Sequence, residues 1–407
     1  MPSADVIVVG AGPAGVAAAV TLADAGREVV VVDKARFPRD KICGDGLTAG
    51  ALRLLERLGL EPAEIPSWQV VDDVVVRGPS GHEVTFPMPR GRGTYAAVAR
   101  RVDLDAALVE RARSAGVKVL DGHACLAVEE RDDEVEVDVE GVGAVSAGFL
   151  VAADGMWSPV RKHLGLATPG YRGEWHAFRQ YFTNVGPRAA SELVVWFEPD
   201  LLPGYAWSFP LPGNRANVGF GIQRGGKVAR VQDMAAIWPD LLERPHIRAV
   251  LGSDATPESP HRAWPIPARI DEAVLTGGRT LFVGDAATAT DPLTGEGIGQ
   301  ALLTGVLAAE AIVDHGPSAA AVTEAYATAA RRALVADHKM SMLLVRAVQH
   351  RKGVRIGLRI AGATGWTRRN FGRWLFEDYP RAAAVTPRRW RRGLFTGAGA
   401  YRSDTDG

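Results

Sequence analysis

The chain has 407 residues, 47% of them apolar, and its 47 Lys and Arg residues balance its 47 Asp and Glu residues. This length is enough for two or three domains of about 150 residues each, with a large core. Ordinary charge content and scattered glycine and proline exclude disorder, collagen and coiled coil, and a net charge of zero disfavours nucleic acid as a partner.

The two cysteines, Cys43 and Cys125, are too few for a disulfide framework or a four-ligand zinc site. The nine histidines show no ligand spacing, so we expect no metal. The N-terminal residues include no basic segment and no cleavage site, and no apolar run reaches the roughly 18 residues of a membrane span. We therefore expect a cytoplasmic protein without a signal peptide or transmembrane segment.

The chain opens with the pattern of a βαβ unit. Residues 5–9 and 28–32 are apolar runs typical of buried parallel strands, and residues 13–25 have the small side chains of a tightly packed helix. A polar loop at 36–50 and an amphipathic helix at 50–58 are expected to follow.

Further along, residues 68–87 alternate between apolar and polar, which predicts antiparallel hairpin strands. Helical spacing returns at 103–115, and residues 117–151 are rich in strand formers. The aromatic stretch 170–265 predicts a second antiparallel sheet. A buried strand at 280–283, a glycine-rich loop and a long helix then repeat the strand–loop–helix character of the opening.

This late return predicts an α/β fold with a discontinuous, Rossmann-type nucleotide-binding domain and a β-rich domain inserted in it. We assign the nucleotide-binding domain to residues 1–67, 95–168 and 269–330, an antiparallel β-sheet substrate domain to 68–94 and 169–268, and a basic helical C-terminal region to 331–407.

The C-terminal region differs in charge from the rest. Residues 331–407 contain 17 Lys and Arg against 5 Asp and Glu, which leaves a net charge of −12 on residues 1–330. Basic and apolar residues at helical spacing predict amphipathic helices at about 351–360 and 366–375. Such helices can lie peripherally on the inner face of the cell membrane, each Lys or Arg contributing about 1 kcal/mol. The alternative is a cationic face that packs against the acidic part of the chain or is solvated.

A glycine-rich turn joins the first strand to the first helix. Gly10, Gly12 and Gly15 form G-x-G-x-x-G, which permits the tight turn, the approach of backbone to a pyrophosphate and helix–strand packing. Asp33, eighteen residues after Gly15, ends the second strand, where it can accept hydrogen bonds from ribose hydroxyls. This register predicts a dinucleotide site, and the alternative is a structural turn.

Two later segments indicate which dinucleotide. Residues 149–161 and 281–299 each place an aspartate and a glycine at the end of a buried strand, and Asp285 precedes the glycine-rich turn 295–298. An aspartate accepts from polyol hydroxyls, and the N–H groups of a helix N-terminus stabilise negative charge on an electron-accepting ring. These features suit the ribityl chain and pyrimidine edge of a flavin better than a nicotinamide. The alternative is a pair of solvent-facing turn aspartates.

The combination of GAGPAG at 10–15, DGxxSxxR at 154–161 and GDAxxxxxPxxGEGI at 284–298 resembles the flavoprotein monooxygenase-like superfamily over about residues 5–330. The resemblance implies FAD as cofactor, in a glutathione-reductase-like FAD-binding domain.

Two further segments narrow the resemblance. FPRDKICGDGLT at 37–48, and GYAWSFP at 204–210 followed by VGFGI at 218–222, resemble the geranylgeranyl reductase family, which includes menaquinone-side-chain reductases. Arg101 is preferred to Arg100 as a site residue because, with Asp105, it matches the family spacing R-x-x-L-D.

The glycine turn and the resemblance together give the expected cofactor contacts, which are Gly10, Gly12, Ala14, Gly15, Asp33, Lys34, Cys43, Gly44, Gly46, Arg101, Asp285, Gly295, Gly297 and Ile298. The family's aromatic motif falls on Tyr205, Trp207, Phe209 and Pro210, which the resemblance implies line a channel for a lipid chain.

The aromatic residues Tyr205, Trp207 and Phe209 alternate, so in a strand their side chains point to one face. That face can bound an apolar cavity for an isoprenoid, or it can belong to an inter-sheet core. Trp196 and Trp264 are assigned to the core.

Cys43 is our candidate catalytic residue, because it lies in a glycine-flanked loop whose backbone can approach the flavin. A thiol there can position substrate, or assist protonation if its pKa is lowered. The alternative is a small, partly buried structural residue. Cys125 is expected to be a buried strand residue.

The resemblance implies an FAD-dependent oxidoreductase that reduces carbon–carbon double bonds of a polyprenyl lipid, of geranylgeranyl or menaquinone type, by hydride transfer from reduced flavin. The middle of the chain has no second G-x-G-x-x-G, so we expect transiently bound NAD(P)H or another reductant to supply the electrons.

Two rival functions stay open. One is a monooxygenase or halogenase acting on an aromatic natural product, although the halogenase motif Trp-x-Trp-x-Ile-Pro meets Tyr205 and Phe209 here. The other is a non-catalytic prenyl-binding protein, as in the GDI family, against which the presence of Asp285 and the GEGI turn argues.

Overall fold

The computed structural model describes residues 3–226, 229–390 and 394–402. The strands within these ranges are β1 (Ser3–Val9), β2 (Val29–Asp33), β3 (Gly46–Thr48), β4 (Gln69–Val70), β5 (Asp73–Arg77), β6 (Glu83–Pro87), β7 (Ala96–Val98), β8 (Lys118–Asp121), β9 (Cys125–Glu130), β10 (Val135–Val139), β11 (Gly143–Ala152), β12 (Trp175–Thr183), β13 (Leu193–Trp196), β14 (Tyr205–Leu211), β15 (Arg215–Gln223), β16 (Thr256–Pro257), β17 (Arg262–Ile266), β18 (Thr276–Gly277) and β19 (Thr280–Phe282).

The α-helices of the same ranges are α1 (Pro13–Asp24), α2 (Ala49–Arg57), α3 (Arg101–Ser114), α4 (Pro159–His163), α5 (Pro187–Ser191), α6 (Met234–Glu243), α7 (Pro245–Leu251), α8 (Ile298–His315), α9 (Ala319–Val348), α10 (Arg351–Gly362) and α11 (Gly365–Leu375).

The first sheet has the order β18-β19-β11-β1-β2-β8, and β10 and β9 extend it from β11. From β19 to β8 all neighbours are parallel. Val6–Val9 pair in register with Val29–Val32, and all eight of these residues are buried. Continuous β-branched runs of this kind are typical of a parallel sheet covered on both faces.

Helices α1 and α8 pack closely together against this sheet. A Cβ atom at Gly305 would lie 2.1 Å from the carbonyl oxygen of Ala14, so a glycine is required where the two helices meet. This contact fixes the N-terminus of α8 beside the glycine-rich turn that precedes α1.

The second sheet has the order β16-β12-β15-β14-β13-β5-β6, and β17 also pairs with β12. Apolar side chains on one face pack against α6 and α7, with Trp196 and Trp238 in that core. Side chains on the other face pack against α10 and against the residue following α11, through Leu358 and Phe376 among others. A third, small sheet has the strand order β3-β7-β4.

The predicted α/β fold class is confirmed, with parallel strands in the first sheet and helices in the C-terminal region. The second sheet was predicted to be antiparallel, and this is wrong at one pair, since β13 runs parallel to β5. The β-rich stretch 170–265 also contains α6 and α7, which the sequence analysis did not predict. The sequence signal for α6 was the buried series Met234, Trp238 and Leu241 at helical spacing. In addition, α9 runs through the predicted domain boundary at residue 330, so the change in composition there does not coincide with the end of an element.

Both helices predicted in the basic C-terminal region are present, as α10 and α11. Within the described ranges, none of the helices combines the length and the apolar character that crossing a membrane requires.

Candidate active site

A cavity of about 670 Å³ lies between the first sheet and the second. One part is lined by the glycine-rich turn, the end of β2, the loop before β3 and the segment between β19 and α8. The other part is lined by β14 and by apolar residues from α9, α10 and α11. The cavity therefore joins the expected dinucleotide site to the expected lipid channel.

The glycine-rich turn needs its glycines for steric reasons. Gly10 has φ of 107°, and a Cβ on it would lie 2.2 Å from the carbonyl oxygen of Ala153. A Cβ on Gly15 would lie 1.8 Å from the carbonyl oxygen of Gly10. Gly12 is the N-cap of α1 and uses no side chain to cap the helix, so the N–H groups of the first turn can bind a pyrophosphate.

At the end of β2, Asp33 is held by two backbone donors, since its carboxylate accepts from the N–H of Ala11 and of Ala35, each at 2.8 Å. Lys34 lines the same end of the cavity. Cys125 also lies there and is half-buried, which corrects the expectation of a buried strand residue. Burial is the main cause that raises the pKa of its thiol to about 12.

Two arginines beside the glycine turn are fixed by one buried carboxylate. Asp105 has no exposed surface and accepts from Arg101 Nε at 2.7 Å and Arg101 Nη2 at 2.8 Å. Its Oδ2 also accepts from Arg39 Nη1 at 2.7 Å. Arg39 Nη2 lies 3.7 Å from the position that a Cβ of Gly12 would occupy. The sequence analysis did not predict a role for Arg39, although the R-x-x-L-D spacing pointed to Asp105.

Asp285 lies at the start of the segment between β19 and α8 and lines the cavity. Lys41 Nζ is 3.8 Å from its carboxylate and 4.2 Å from the ring centre of Trp264. Trp264 was assigned to the core, and this was wrong, because its half-buried indole lines the cavity. The aspartate, the lysine and the indole thus form one wall of the site.

Gly295, Gly297 and Ile298 line the cavity where α8 begins. Between the glycines, the buried Glu296 accepts from the N–H of Gly299 at 2.5 Å. Burial, and then the nearby Glu377, raise the pKa of this carboxyl. The N-terminus of α8 faces the cavity, where its positive end can meet a ligand.

Residues after α11 pack against the segment that leads into α8. The sequence analysis did not predict a role for them. The buried Arg381 lies 3.3 Å from Asp291 and 3.2 Å from Glu377, and it donates to the Thr294 hydroxyl at 3.0 Å. Ser341 of α9 donates to Asp291 at 2.5 Å. No signal in the local sequence joins residues so far apart along the chain.

Asp154, from the first of the two predicted aspartate–glycine pairs, is not a solvent-facing turn residue. Its Oδ2 accepts from the Ser158 hydroxyl and the N–H of Val160, both at 2.9 Å. Burial raises its pKa to about 6. Arg161 donates to the carbonyl oxygen of Ala286 at 2.7 Å, so this motif ties α4 to the Asp285 segment.

The aromatic residues of β14 share one face, as predicted, and all three line the cavity. The ring centres of Tyr205 and Trp207 are 6.1 Å apart, and those of Trp207 and Phe209 are 6.0 Å apart. Phe209 packs over the Cys43 loop, since a Cβ on either Gly44 or Gly46 would lie 3.3 Å from its ring. Pro210 is buried on the opposite face, and it is not among the residues that line the cavity.

Cys43 is half-buried and lines the cavity beside these rings. Its Sγ accepts from the N–H of Asp45 at 3.3 Å. Burial raises the pKa of this thiol, although Arg101 opposes the effect. The sequence analysis made a role in protonation conditional on a lowered pKa, and the shift is in the opposite direction. The catalytic role of Cys43 stays a prediction.

The comparisons with known proteins show which family the chain belongs to. The FAD binding domain family matches residues 3–333. Over 332 residues the chain is 35% identical to a menaquinone reductase of Mycobacterium tuberculosis, and the match covers 76% of each protein. It is also 33% identical to digeranylgeranylglycerophospholipid reductase 1 of Methanopyrus kandleri, over 76% of this chain and 80% of the relative. The chain belongs to the geranylgeranyl reductase family.

Solved structures show the same fold. The crystal structure of a geranylgeranyl bacteriochlorophyll reductase-like protein from Thermoplasma acidophilum has a TM-score of 0.79 at 21% identity, over 96% of this chain and 100% of that chain. A flavin-dependent brominase has a TM-score of 0.75 at 19% identity, over 95% of this chain and 98% of that one. As a member of the geranylgeranyl reductase family, the protein is an FAD-dependent oxidoreductase.

The site fits FAD. The glycine cradle leaves N–H groups for the pyrophosphate, and Asp33 stands where a ribose is bound in Rossmann-type domains. Asp285 and the N-terminus of α8 would hold the ribityl chain and the pyrimidine edge, and Arg101 would face the cofactor.

Asp105→Asn tests this arrangement. The substitution leaves Arg39 and Arg101 without their shared carboxylate. We therefore expect the Kd for FAD to rise about tenfold or more, which corresponds to a loss of roughly 1.4 kcal/mol of binding free energy. Fluorescence titration of the flavin-free protein measures it. Asp337→Asn is a matched control, since Asp337 pairs with Arg389 at 2.8 Å outside the cavity. Equal FAD affinity in wild type and Asp105→Asn would contradict the assignment.

Proposed function

We propose that this protein saturates carbon–carbon double bonds of a polyprenyl lipid, of geranylgeranyl or menaquinone type. The observation that carries the proposal is the continuity of the cavity, in which a flavin site opens into an apolar arm. The relatives named menaquinone reductase and digeranylgeranylglycerophospholipid reductase support the same chemistry.

The apolar arm extends from β14 to the C-terminal helices. Its lining is almost entirely hydrocarbon and aromatic, and consists of Val76, Leu193, Val195, Phe197, Tyr205, Trp207, Phe209, Leu344, Val348, Gly353, Val354, Gly357, Leu358, Phe371, Trp374, Leu375 and Phe376. Such a surface favours an isoprenoid chain, because burying it removes apolar area from water at about 25 cal/mol per Å². A small aromatic metabolite would leave most of this surface without contacts.

Reduced FAD, when bound, supplies a hydride to one alkene carbon. The residues of the chain position the other reactants. Trp207 is held by a hydrogen bond from its Nε1 to Asn217 at 3.1 Å, so its indole is a fixed wall against which the alkene is confined. The thiol of Cys43 also lines the cavity, and either this thiol or water donates the proton to the second carbon. The electrons come from NAD(P)H that binds transiently, or from another carrier.

Product mass tests the proposal directly. The holoenzyme is reduced photochemically without oxygen, mixed with a polyprenyl lipid, and the lipid is weighed by mass spectrometry. We expect the lipid to gain two hydrogen atoms for each bond reduced. An unchanged lipid, together with an aromatic compound that gains an oxygen or a halogen in air, would instead establish a monooxygenase or halogenase.

Trp207→Ala tests the role of the aromatic strand. We expect lipid reduction to fall by about a hundredfold, because the alkene loses the wall that orients it, while the flavin stays bound. Turnover and the visible flavin spectrum are measured on the same sample. Trp196→Ala is the control, since Trp196 lies in the core of the same sheet and should lower the melting temperature instead. Loss of flavin in Trp207→Ala would show that this residue is structural.

We also propose that α10 rests on an anionic lipid surface. Its buried side, with Val354 and Leu358, lines the apolar arm. Its opposite side exposes Lys352, Arg355 and Arg359, which make no ion pair with any residue that the structure describes.

Exposed apolar side chains lie next to these cations. Ile356 is 55% exposed, Ile360 is 65% exposed and Trp366, at the start of α11, is 61% exposed. Basic residues interleaved with tryptophan and isoleucine suit the boundary between headgroups and acyl chains. Other basic residues of the C-terminal region form ion pairs inside the protein, as Arg381 does with Asp291. We therefore propose a lipid surface for α10 and the start of α11 only, and internal packing against acidic residues for the part that follows. This placement would let a lipid chain pass from the bilayer into the cavity.

Reversing two charges tests this surface. For Arg355→Glu with Arg359→Glu, we expect binding to vesicles of anionic phospholipid to weaken tenfold or more, since each basic residue contributes about 1 kcal/mol. Co-sedimentation measures it, with neutral phosphatidylcholine vesicles as reference. Arg27→Glu with Lys118→Glu carries the same charge change at exposed positions elsewhere and should bind as wild type does. Equal weakening in both double variants would contradict the proposal.

A further inference from the structure

A buried polar cluster lies beneath the Cys43 loop. At its centre is Asp45, which has no exposed surface and a φ of 65°, a conformation uncommon for residues other than glycine. Its Oδ2 accepts from the Tyr181 hydroxyl at 2.7 Å and from Asn217 Nδ2 at 2.8 Å. Its Oδ1 is buried and accepts no hydrogen bond from the protein atoms that the structure describes.

Asn217 hydrogen-bonds both to the Cys43 loop and to Trp207 of β14. Its Nδ2 also donates to the carbonyl oxygen of Cys43 at 2.8 Å, and its Oδ1 accepts from Trp207 Nε1 at 3.1 Å. The orientation of the amide follows from its partners, because an indole N–H can only donate and a carbonyl can only accept. One buried amide on β15 therefore holds the cysteine loop and the indole of β14 in register.

The charges around the thiol come from three elements. Arg101 of α3 lowers the pKa of Cys43, whereas Asp45 in its own loop and Glu296 before α8 raise it. Arg179 and Tyr181 of β12 face Asp45 in turn, together with Arg101. Burial raises the pKa of Asp45 to about 6, so the carboxyl is mainly ionised above that pH.

A purely structural role would not require a carboxylate at this position. Asparagine adopts positive φ more readily than most residues and offers an oxygen to the same two donors. A buried carboxylate costs desolvation free energy, and here one of its oxygens has no protein donor. What the carboxylate adds is a negative charge close to the thiol, which disfavours the thiolate.

We propose that Asp45 and Asn217 are a positioning pair that holds the Cys43 loop beside Trp207 and lowers the reactivity of the Cys43 thiol. The use of this thiol as a proton donor rests on the proposed function. The pair itself acts on the thiol whether or not lipid is present, so it can be tested separately.

The test is the pH dependence of Cys43 alkylation in the holoenzyme. The rate of iodoacetamide labelling, which follows the thiolate fraction, is measured between about pH 6 and pH 9, where both thiols are mainly protonated, and mass spectrometry separates the peptides of Cys43 and Cys125. In Asp45→Asn we expect Cys43 to be labelled about tenfold faster at each pH, because the nearby negative charge is removed. Cys125 in the same sample is an internal reference and should not change.

Asp154→Asn is the matched control, because Asp154 is a cavity-lining aspartate with a similarly raised pKa that acts on Cys125 and not on Cys43. Asn217→Ala tests the tether. It should speed the labelling of Cys43 several-fold at each pH, and it serves as the deciding variant if Asp45→Asn does not fold.

An unchanged rate of Cys43 labelling in folded, flavin-containing Asp45→Asn would overturn the charge effect, and unchanged labelling in Asn217→Ala would overturn the tether. The outcome is independent of lipid chemistry. Faster labelling in the variants of an enzyme that reduces no lipid would reject the proposed function and leave this pair standing.

Discussion

The structure depends on backbone contacts around the first helix that only glycine permits. Gly15 meets the carbonyl of Gly10, Gly10 meets the carbonyl of Ala153, and Gly305 meets the carbonyl of Ala14. These contacts draw β1, α1, β11 and α8 together at one point. Because α8 is held there, its N-terminus faces the same cavity as the N-terminus of α1. The two positive helix ends are therefore available to one ligand with a pyrophosphate at one end and an electron-accepting ring at the other.

The second sheet contributes the aromatic side chains that line the cavity. Its β14 presents Tyr205, Trp207 and Phe209 across the cavity, and the Cys43 loop packs directly beneath them because Gly44 and Gly46 leave room for Phe209. Several polar side chains in this region are buried and hydrogen-bonded to one another, as Tyr181 and Asn217 are with Asp45. Burial strengthens charge–charge interactions, which makes the placement of Arg101 and Asp45 more influential than it would be at the surface.

Sequence patterns predicted what depends on local steric rules. The strand, turn and helix at Gly10–Gly15, the face shared by the β14 aromatics and the two helices after residue 350 each follow from short-range spacing. Other features depend on residues far apart in the chain. Arg381 meets Asp291, and Asn217 meets Cys43, only because the fold brings them together. Trp264 was misassigned for the same reason, since an indole in a strand has the same local pattern whether it faces a core or a cavity.

The ion pairs of Arg381 have a consequence for shortening the chain. A version ending before residue 381 would retain the helices of the nucleotide fold, yet it would lose the guanidinium that neutralises Asp291 and Glu377 inside the protein. Removing one partner of a buried ion pair costs on the order of 3–5 kcal/mol, a large share of the net stability of a domain. Arg381 is thus an internal counter-charge behind the segment that leads into α8, and removing it is not a neutral way to obtain a smaller enzyme.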